Sequence, residues 1–322
     1  KKLLTQPRAL SFKKDGNSTH SHPGDAISSA LVANLKSSFS VRGISYPPGE
    51  VPLAAVTPLF LPKNYTPFPL KMSRRFPMPL LPRDNPLLTQ RVALGKKLFH
   101  DKSLSKDGTI SCANCHHQDK ALTDGLKFSK GINDQKGDKN SMPLFNLAWK
   151  SSFFWDGRAK SLRDQVLQPI QDHREMASDL KAVVAQLQKD ESLAFENAFG
   201  PGSVTEEKIA LALENFLLTL TSYDSKFDRA MSGKAKLSEA EQRGMELFFT
   251  EYEPRSQQYG ADCFHCHGGS FFSDHQFHSN GLKPSFSDVG LMNVTGKETD
   301  RGKFATPSLR NIALTAPYMH DG

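Results

Sequence analysis

All four cysteines of this chain stand in two copies of one pattern. They are Cys112-Ala-Asn-Cys115-His116 and Cys263-Phe-His-Cys266-His267. Two thiols at this spacing can bond the two vinyl groups of a haem, while the following imidazole turns onto the iron. This is the attachment signature of c-type haem. A single copy could equally be a redox dithiol or half of a zinc site. A zinc reading would need the pairs at finger-like separation, and these lie far apart in the chain. With every cysteine consumed and a histidine beside each pair, two covalently bound haems are the reading, with His116 and His267 as proximal ligands. His117 reads as a solvated neighbour.

The elements that must position these motifs are helical. Asn85-Pro86 reads as an N-cap and first helical residue, with Leu87, Leu88, Arg91, Leu94 and Leu98 following at helical spacing. Ser178 is expected to cap a segment carrying Leu180, Val183, Val184 and Leu187. Thr205 opens another with Ile209, Leu213, Phe216, Leu217 and Leu220. Ser238-Glu-Ala-Glu241 is a capping box ahead of Met245 and Phe248. Alternating strand patterns are scarce. Gly95-Lys-Lys-Leu-Phe99 and Gly244-Met-Glu-Leu-Phe248 each run into a Cys-x-x-Cys-His, a faint internal repeat that suggests two similar modules. The expected fold is mainly α: two cytochrome c-like haem domains with long loops, over 85–222 and 223–322. A proline-rich N-terminal extension, 1–84, precedes them. Between Pro47 and Pro86 stand 11 of the chain's 20 prolines, so this arm should be extended.

Composition narrows the classes. The 322 residues are 38% hydrophobic and 23% charged, as in a folded protein with a sizeable core. No stretch approaches the roughly 18 apolar residues of a membrane span. Lys1-Lys2-Leu3-Leu4 is not followed by an apolar segment and cleavage site, so an export signal is expected to lie outside this sequence. The formal charge of +7 is scattered and forms no nucleic-acid-binding pattern. Haem propionates would offset part of it.

From Asn85 to Gly322 the chain resembles the bacterial di-haem cytochrome c peroxidase family, including its MauG branch. The segments that carry the likeness are Phe154-Trp-Asp-Gly-Arg-Ala159, Gly290-Leu-Met-Asn-Val-Thr-Gly296, Asp300-Arg-Gly-Lys-Phe304 and Thr306 to Gly322, the last ending in His320-Asp-Gly. The resemblance implies a peroxide-reacting haem in the first module and an electron-transferring haem in the second. It implies a tryptophan between them, with a glutamine and a glutamate on the peroxide side. Trp155, Gln165 and Glu175 keep the family's ten-residue intervals. Glu175, with its pKa raised in an apolar pocket, would shuttle the peroxide proton. Gln165 would hold peroxide and its water, and Trp155 would relay electrons. Arg310 and His320 would contact haem propionates, while Asp156 and Arg158 would brace the Trp155 loop. A calcium ion between the modules would use Asn140, Thr315 and Pro317.

In two respects the resemblance leaves a choice. Members that need reductive activation carry a histidine 16 residues after the first haem histidine; Ile132 stands there, and isoleucine cannot ligate iron. The first haem is therefore expected to be open to peroxide, as in MauG and some peroxidases. The distal ligand of the second haem, methionine in peroxidases and tyrosine in MauG, would fall about 14 residues past His320. That is beyond Gly322, and Met292 and Met319 align with non-ligand positions.

The expected function is reduction of hydrogen peroxide to water with electrons from a small cytochrome c or cupredoxin through the second haem. The alternative is a MauG-like enzyme that oxidises a protein substrate through high-valent haem iron. A plain electron carrier would have two six-coordinate haems. The resemblance further implies a periplasmic location and possible homodimerisation.

Overall fold

In a computed structural model the described residues are 60–79, 81–282 and 285–322. Residues 1–59 of the expected arm lie outside them. The described residues are helix-rich, with four two-residue strands.

The core is built around one enclosed helix, α6, Glu206–Leu218. Its residues from Lys208 to Leu218 are all buried. Helix α1, Thr89–Phe99, packs along it, as does α3, Leu162–Gln171. Helices α4, Leu180–Asp190, and α5, Ser192–Phe199, close the remaining sides. Leu98, Leu104, Ile170, Leu187, Phe195, Ile209 and Leu213 are fully buried here. Each such side chain contributes roughly 1.5–3 kcal/mol of transfer free energy. Gly95 sets the closeness of α1 to α6, because a Cβ there would lie 1.9 Å from the Ala212 carbonyl oxygen. Its counterpart in the repeat, Gly244, meets nothing within 4 Å. The repeat therefore preserves a glycine that only the first copy uses in packing.

Two helix starts differ from the sequence expectation. Helix α1 begins at Thr89 with Leu88 at the N-cap, so Asn85-Pro86 does not open it. Asn85 is fully buried instead: its Nδ2 donates to the Leu211 carbonyl and to Glu214, at 2.9 and 2.7 Å. Its Oδ1 accepts from Arg91 at 2.6 Å. The start of α1 is satisfied from across the core, where the Leu88 N–H donates to Asn215 Oδ1. For α4 the cap is Asp179, one residue past Ser178. Thr205 and Ser238 cap as read.

The second half is built from short elements. Helices α7, Lys226–Met231, and α8, Glu239–Phe249, each start with a capping box. Strands β1, Tyr252–Glu253, and β2, Gln258–Tyr259, pair antiparallel, as do β3, Phe277–His278, and β4, Phe304–Ala305. Between 60 and 84 the described chain forms no helix, and Phe76 from this stretch is buried against Trp149 and Phe271, ring centroids 5.4 and 4.8 Å away.

Arg91 is the largest fully buried side chain, with its guanidinium bonded to Asn85, the Ala198 carbonyl and the Phe60 carbonyl. Orphaning a buried acceptor costs about 1–3 kcal/mol. Arg91→Leu should lose at least that much stability in denaturant unfolding; an unchanged midpoint would show that these contacts contribute nothing.

Candidate functional site

Each Cys-x-x-Cys-His forms one helical turn. The Cys112–Cys115 helix, α2, is opened by a Ser111–Asn114 capping box, and the His116 N–H closes back on the Cys112 carbonyl at 3.1 Å. In the second copy, α9 spans Phe264–His267, and the His267 N–H reaches the Cys263 carbonyl at 2.9 Å. Residues three and four apart share a helix face, so both sulfurs and the imidazole present together.

Both imidazoles are then locked in the same way. His116 Nδ1 lies 2.8 Å from the Leu122 carbonyl oxygen and His267 Nδ1 lies 3.1 Å from that of Phe272. A carbonyl only accepts, so Nδ1 must carry the proton and Nε2 keeps its lone pair, as an iron ligand requires. Burial holds the His116 pKa below the ordinary histidine value, which favours the neutral form. The two acceptor residues share an uncommon feature: Leu122 has φ 63 and Phe272 φ 51. Bulky residues rarely adopt left-handed backbone. Both motifs use it to turn a carbonyl back onto the histidine.

The first motif opens on a cavity. Its empty volume is about 1420 Å³, solvent-facing mouth included. Cys112, Cys115 and His116 line it together with Asn140, Trp155, Gln165 and Glu175. Phe99, Leu144, Val166, Leu213 and Leu217 supply apolar wall. Thiols, a lone-pair imidazole and an apolar enclosure in one cavity fit a covalently held haem on His116. Cys263, Cys266, His267, Arg310, His320, Thr315 and Pro317 do not line this cavity.

Gln165 projects from α3, whose start is capped by Ser161. Pro169 lies in the last turn of this helix, and the chain after Gln171 folds back, so that the Met176 N–H reaches the Pro169 carbonyl at 3.2 Å. That reversal carries Glu175 back to the same wall as Gln165. Burial, then the nearby Asp172 carboxylate, pushes Glu175 up to about 6. Ile132 is buried and does not line the cavity; its N–H donates to the Glu175 carbonyl at 2.9 Å. Gly131 beside it does line the cavity.

Trp155 is buried where the two halves meet. Its Nε1 donates to the Asn140 carbonyl at 2.8 Å, and its own carbonyl accepts from Ala305 of β4 at 2.8 Å. The Asn140 N–H donates to the His320 carbonyl at 2.8 Å, and its Nδ2 to that of Leu126, also at 2.8 Å. Thr315 and Pro317 are half-buried in the segment leading to His320. The His320 ring stacks on Phe304, centroids 3.6 Å apart. Arg310 is buried and gives its guanidinium to Asp228, at 2.8 and 2.9 Å, and to the Ser270 carbonyl. Asp156 and Arg158 pair with each other at 3.1 Å, and the Arg158 guanidinium lies 3.5 Å from the Phe154 ring centroid. Sequence reasoning passed over Lys150, Arg174 and Ser129, which also line the cavity. No local pattern marks them, because only the chain reversals bring them there.

Gly131 holds the Glu175 loop at close range: a Cβ there would fall 2.0 Å from the Arg174 carbonyl oxygen and 2.6 Å from that of Glu175. Overpacking of this kind costs about 1–3 kcal/mol. Gly131→Ala should lower the thermal midpoint accordingly, and an unaltered midpoint would refute the contact.

A family model described as di-haem cytochrome c peroxidase matches residues 89–236. Methylamine utilization protein MauG of Methylophilus methylotrophus is 35% identical over 244 residues, covering 75% of this chain and 71% of that protein. Cytochrome c peroxidase Ccp of Escherichia coli is 38% identical over 260 residues, 77% of this chain but 54% of that longer protein. Among solved structures, a MauG-like protein associated with microbial copper homeostasis superposes with a TM-score of 0.72 at 35% identity, covering 79% of this chain and 78% of that one.

Proposed function

The chain belongs to the di-haem cytochrome c peroxidase family, and from that premise we propose that it reduces hydrogen peroxide to water with electrons from a small redox protein. The family implies two c-type haems, here on His116 and His267. When bound, the haem of the first module supplies the iron that takes up peroxide and the redox equivalents that cleave its O–O bond.

The residues of the chain supply the rest. The observation that carries this reading is the position of Glu175 in a wall shared by two spaces. One face lines the apolar cavity with His116 and Gln165; the other lines a polar hollow with Asp138, Asp156, Arg158, Asp172 and Arg174. The Glu175 carboxylate takes the proton from the near oxygen of peroxide and returns it to the departing oxygen. The two further protons that complete two waters enter from the hollow. The Gln165 amide, both donor and acceptor, holds peroxide in place. Trp155, hydrogen-bonded to both halves, lies on the electron route from the second module.

The same reading assigns residues 85–222 and 223–322 to two cytochrome c-like domains. Asn140 spends its Nδ2 on Leu126, which leaves Oδ1 to face a hard cation. With carbonyls of Thr315 and Pro317 it would hold calcium. His320, and Arg310 through its neighbours, support propionates near the domain junction. No helix among the described residues is long and apolar enough to cross a membrane. A periplasmic setting, a cytochrome c or cupredoxin donor and a homodimer are the accompanying proposals.

Ile132 favours a second reading, MauG-like oxidation of a protein substrate, because its side chain offers no ligand to compete with peroxide. Steady-state turnover separates the two. Rapid peroxide-dependent oxidation of reduced cytochrome c supports the peroxidase, whereas negligible donor oxidation supports the MauG-like enzyme.

Proton transfer requires Glu175 ionised before peroxide arrives. Because burial raises its pKa to about 6, the acting form is lost as pH falls through that value. The rate of peroxide reaction should therefore be level above pH 6 and fall below it. Glu175→Gln should keep both haems, lose about 10²–10⁴-fold in rate and lose this pH limb. Normal rates in that variant would remove Glu175 from the mechanism.

A further inference from the structure

Beside the second Cys-x-x-Cys-His, a histidine and two carboxylates converge that the proposed reaction does not use. Glu251 stands between α8 and β1, Asp262 follows β2, and His265 lies inside the attachment turn between Cys263 and Cys266. His265 Nε2 lies 3.3 Å from Glu251 Oε2 and 3.1 Å from Asp262 Oδ1. One ligand atom from each of the three lies within 4.8 Å of the others. Backbone bonds bring these segments together independently of the side chains. The Gly260 N–H donates to the Glu251 carbonyl at 2.9 Å, the Ala261 N–H to that of Leu247 at 2.7 Å, and the Asp262 N–H to that of Thr250 at 3.2 Å. Gly260 permits this approach, since a Cβ there would fall 1.7 Å from the Thr250 carbonyl oxygen.

Exposed ion pairs are common and contribute little, so pairing alone would need no ligand to explain it. One atom here is different. Asp262 Oδ1 is shielded from water and makes no hydrogen bond among the described residues. The His265 Nε2 is hydrogen-bonded to Glu251, so it does not also satisfy that oxygen. A shielded carboxylate oxygen without a donor is costly, and a cation held among the three groups would satisfy it. Bonds of about 2.0–2.2 Å from a zinc ion to imidazole nitrogen and carboxylate oxygen set neighbouring ligand atoms about 3.0–3.5 Å apart. The separations of 3.1 and 3.3 Å match. An imidazole in the set disfavours magnesium and calcium, which take oxygen ligands. The other grouping of this kind among the described residues, Cys266, Asp274 and His278, would give up its thiol to the second haem. We propose that Glu251, Asp262 and His265 bind a divalent ion of the zinc class, with water completing its coordination. The ion would pin the end of α8 and the segment after β2 to the attachment turn. The proposal goes beyond the peroxidase reading, and its test needs no turnover.

That test uses the full di-haem chain stripped of free metal by a chelator, with two haems confirmed by the pyridine complex. Calorimetric titration with zinc should show one ion bound per chain. Zinc-edge X-ray absorption should then give nitrogen and oxygen neighbours at about 2.0–2.2 Å, with imidazole scattering and no sulfur. Changes outside the ligand set already cost about 10–100-fold at metal sites, so loss of a ligand should weaken zinc at least about tenfold. Glu251→Gln, Asp262→Asn and His265→Gln should each do so while keeping both haems. Asparagine suits the left-handed backbone of Asp262, φ 59, so that variant removes the charge and keeps the turn. Glu251→Gln lies outside the attachment turn and gives the same readout if His265→Gln loads haem poorly. Zinc should raise the thermal midpoint of the unaltered chain and leave that of Glu251→Gln in place. Absence of stoichiometric binding, sulfur among the neighbours, or undiminished affinity in all three variants would overturn the proposal.

Discussion

The structure depends on a hydrogen bond made twice: imidazole Nδ1–H to the carbonyl of a bulky residue held in left-handed backbone. The Cys-x-x-Cys-His turn can present a histidine, but it cannot choose which ring nitrogen keeps the lone pair. The Leu122 and Phe272 carbonyls make that choice, and their strained turns are the local cost. Strain persists only where surrounding contacts over-determine it. Around Leu122 the His117–Thr123 bridge does this, and around Phe272 the aromatic contacts with Phe227 and Phe248 do so. The two Cys-x-x-Cys-His motifs thus share a backbone device that their flanking residues do not announce.

Asn140 ties several segments of the chain together. Its carbonyl holds the Trp155 indole, its N–H holds the His320 carbonyl, and its side chain holds the Leu126 carbonyl. The Leu126, Trp155 and His320 segments, the last far along the chain, meet through this one residue, so a change there would act on the tryptophan and the second half together. The tryptophan is doubly anchored, because β4 also bonds its carbonyl. A rigid indole at this place suits electron transfer, which is sensitive to distance and gains nothing from motion.

Polarity is divided between two walls. The proximal side of the cavity is hydrocarbon, packed on α6. The far side brings Glu175 against a hollow lined by Asp138, Asp172, Arg158 and Arg174. Asp138 and Asp172 are each paired with Arg174, which keeps their carboxyl pKa values low; unpaired and more deeply buried, Glu175 is raised. Neighbouring carboxylates thus differ because their surroundings differ.

What the chain determined locally was legible without coordinates. One helical turn fixes the relation of two cysteines and a histidine, and a threonine or serine hydroxyl two or three residues from an N–H fixes a helix start, as at Thr205 and Ser238. The ten-residue spacing of Trp155, Gln165 and Glu175 pointed to one wall through a family likeness, although no spacing could show that Pro169 and the reversal after Gln171 would bring Glu175 there. Asn85 looked like a cap because its neighbours are local; in the fold it is taken by Arg91, Leu211 and Glu214 from across the core. Ser129, Lys150 and Arg174 carry no pattern at all, yet all three line the cavity. Trp149 packs on Phe271, more than a hundred positions away; no local rule foresees such a contact, and only tertiary structure decides which distant groups meet.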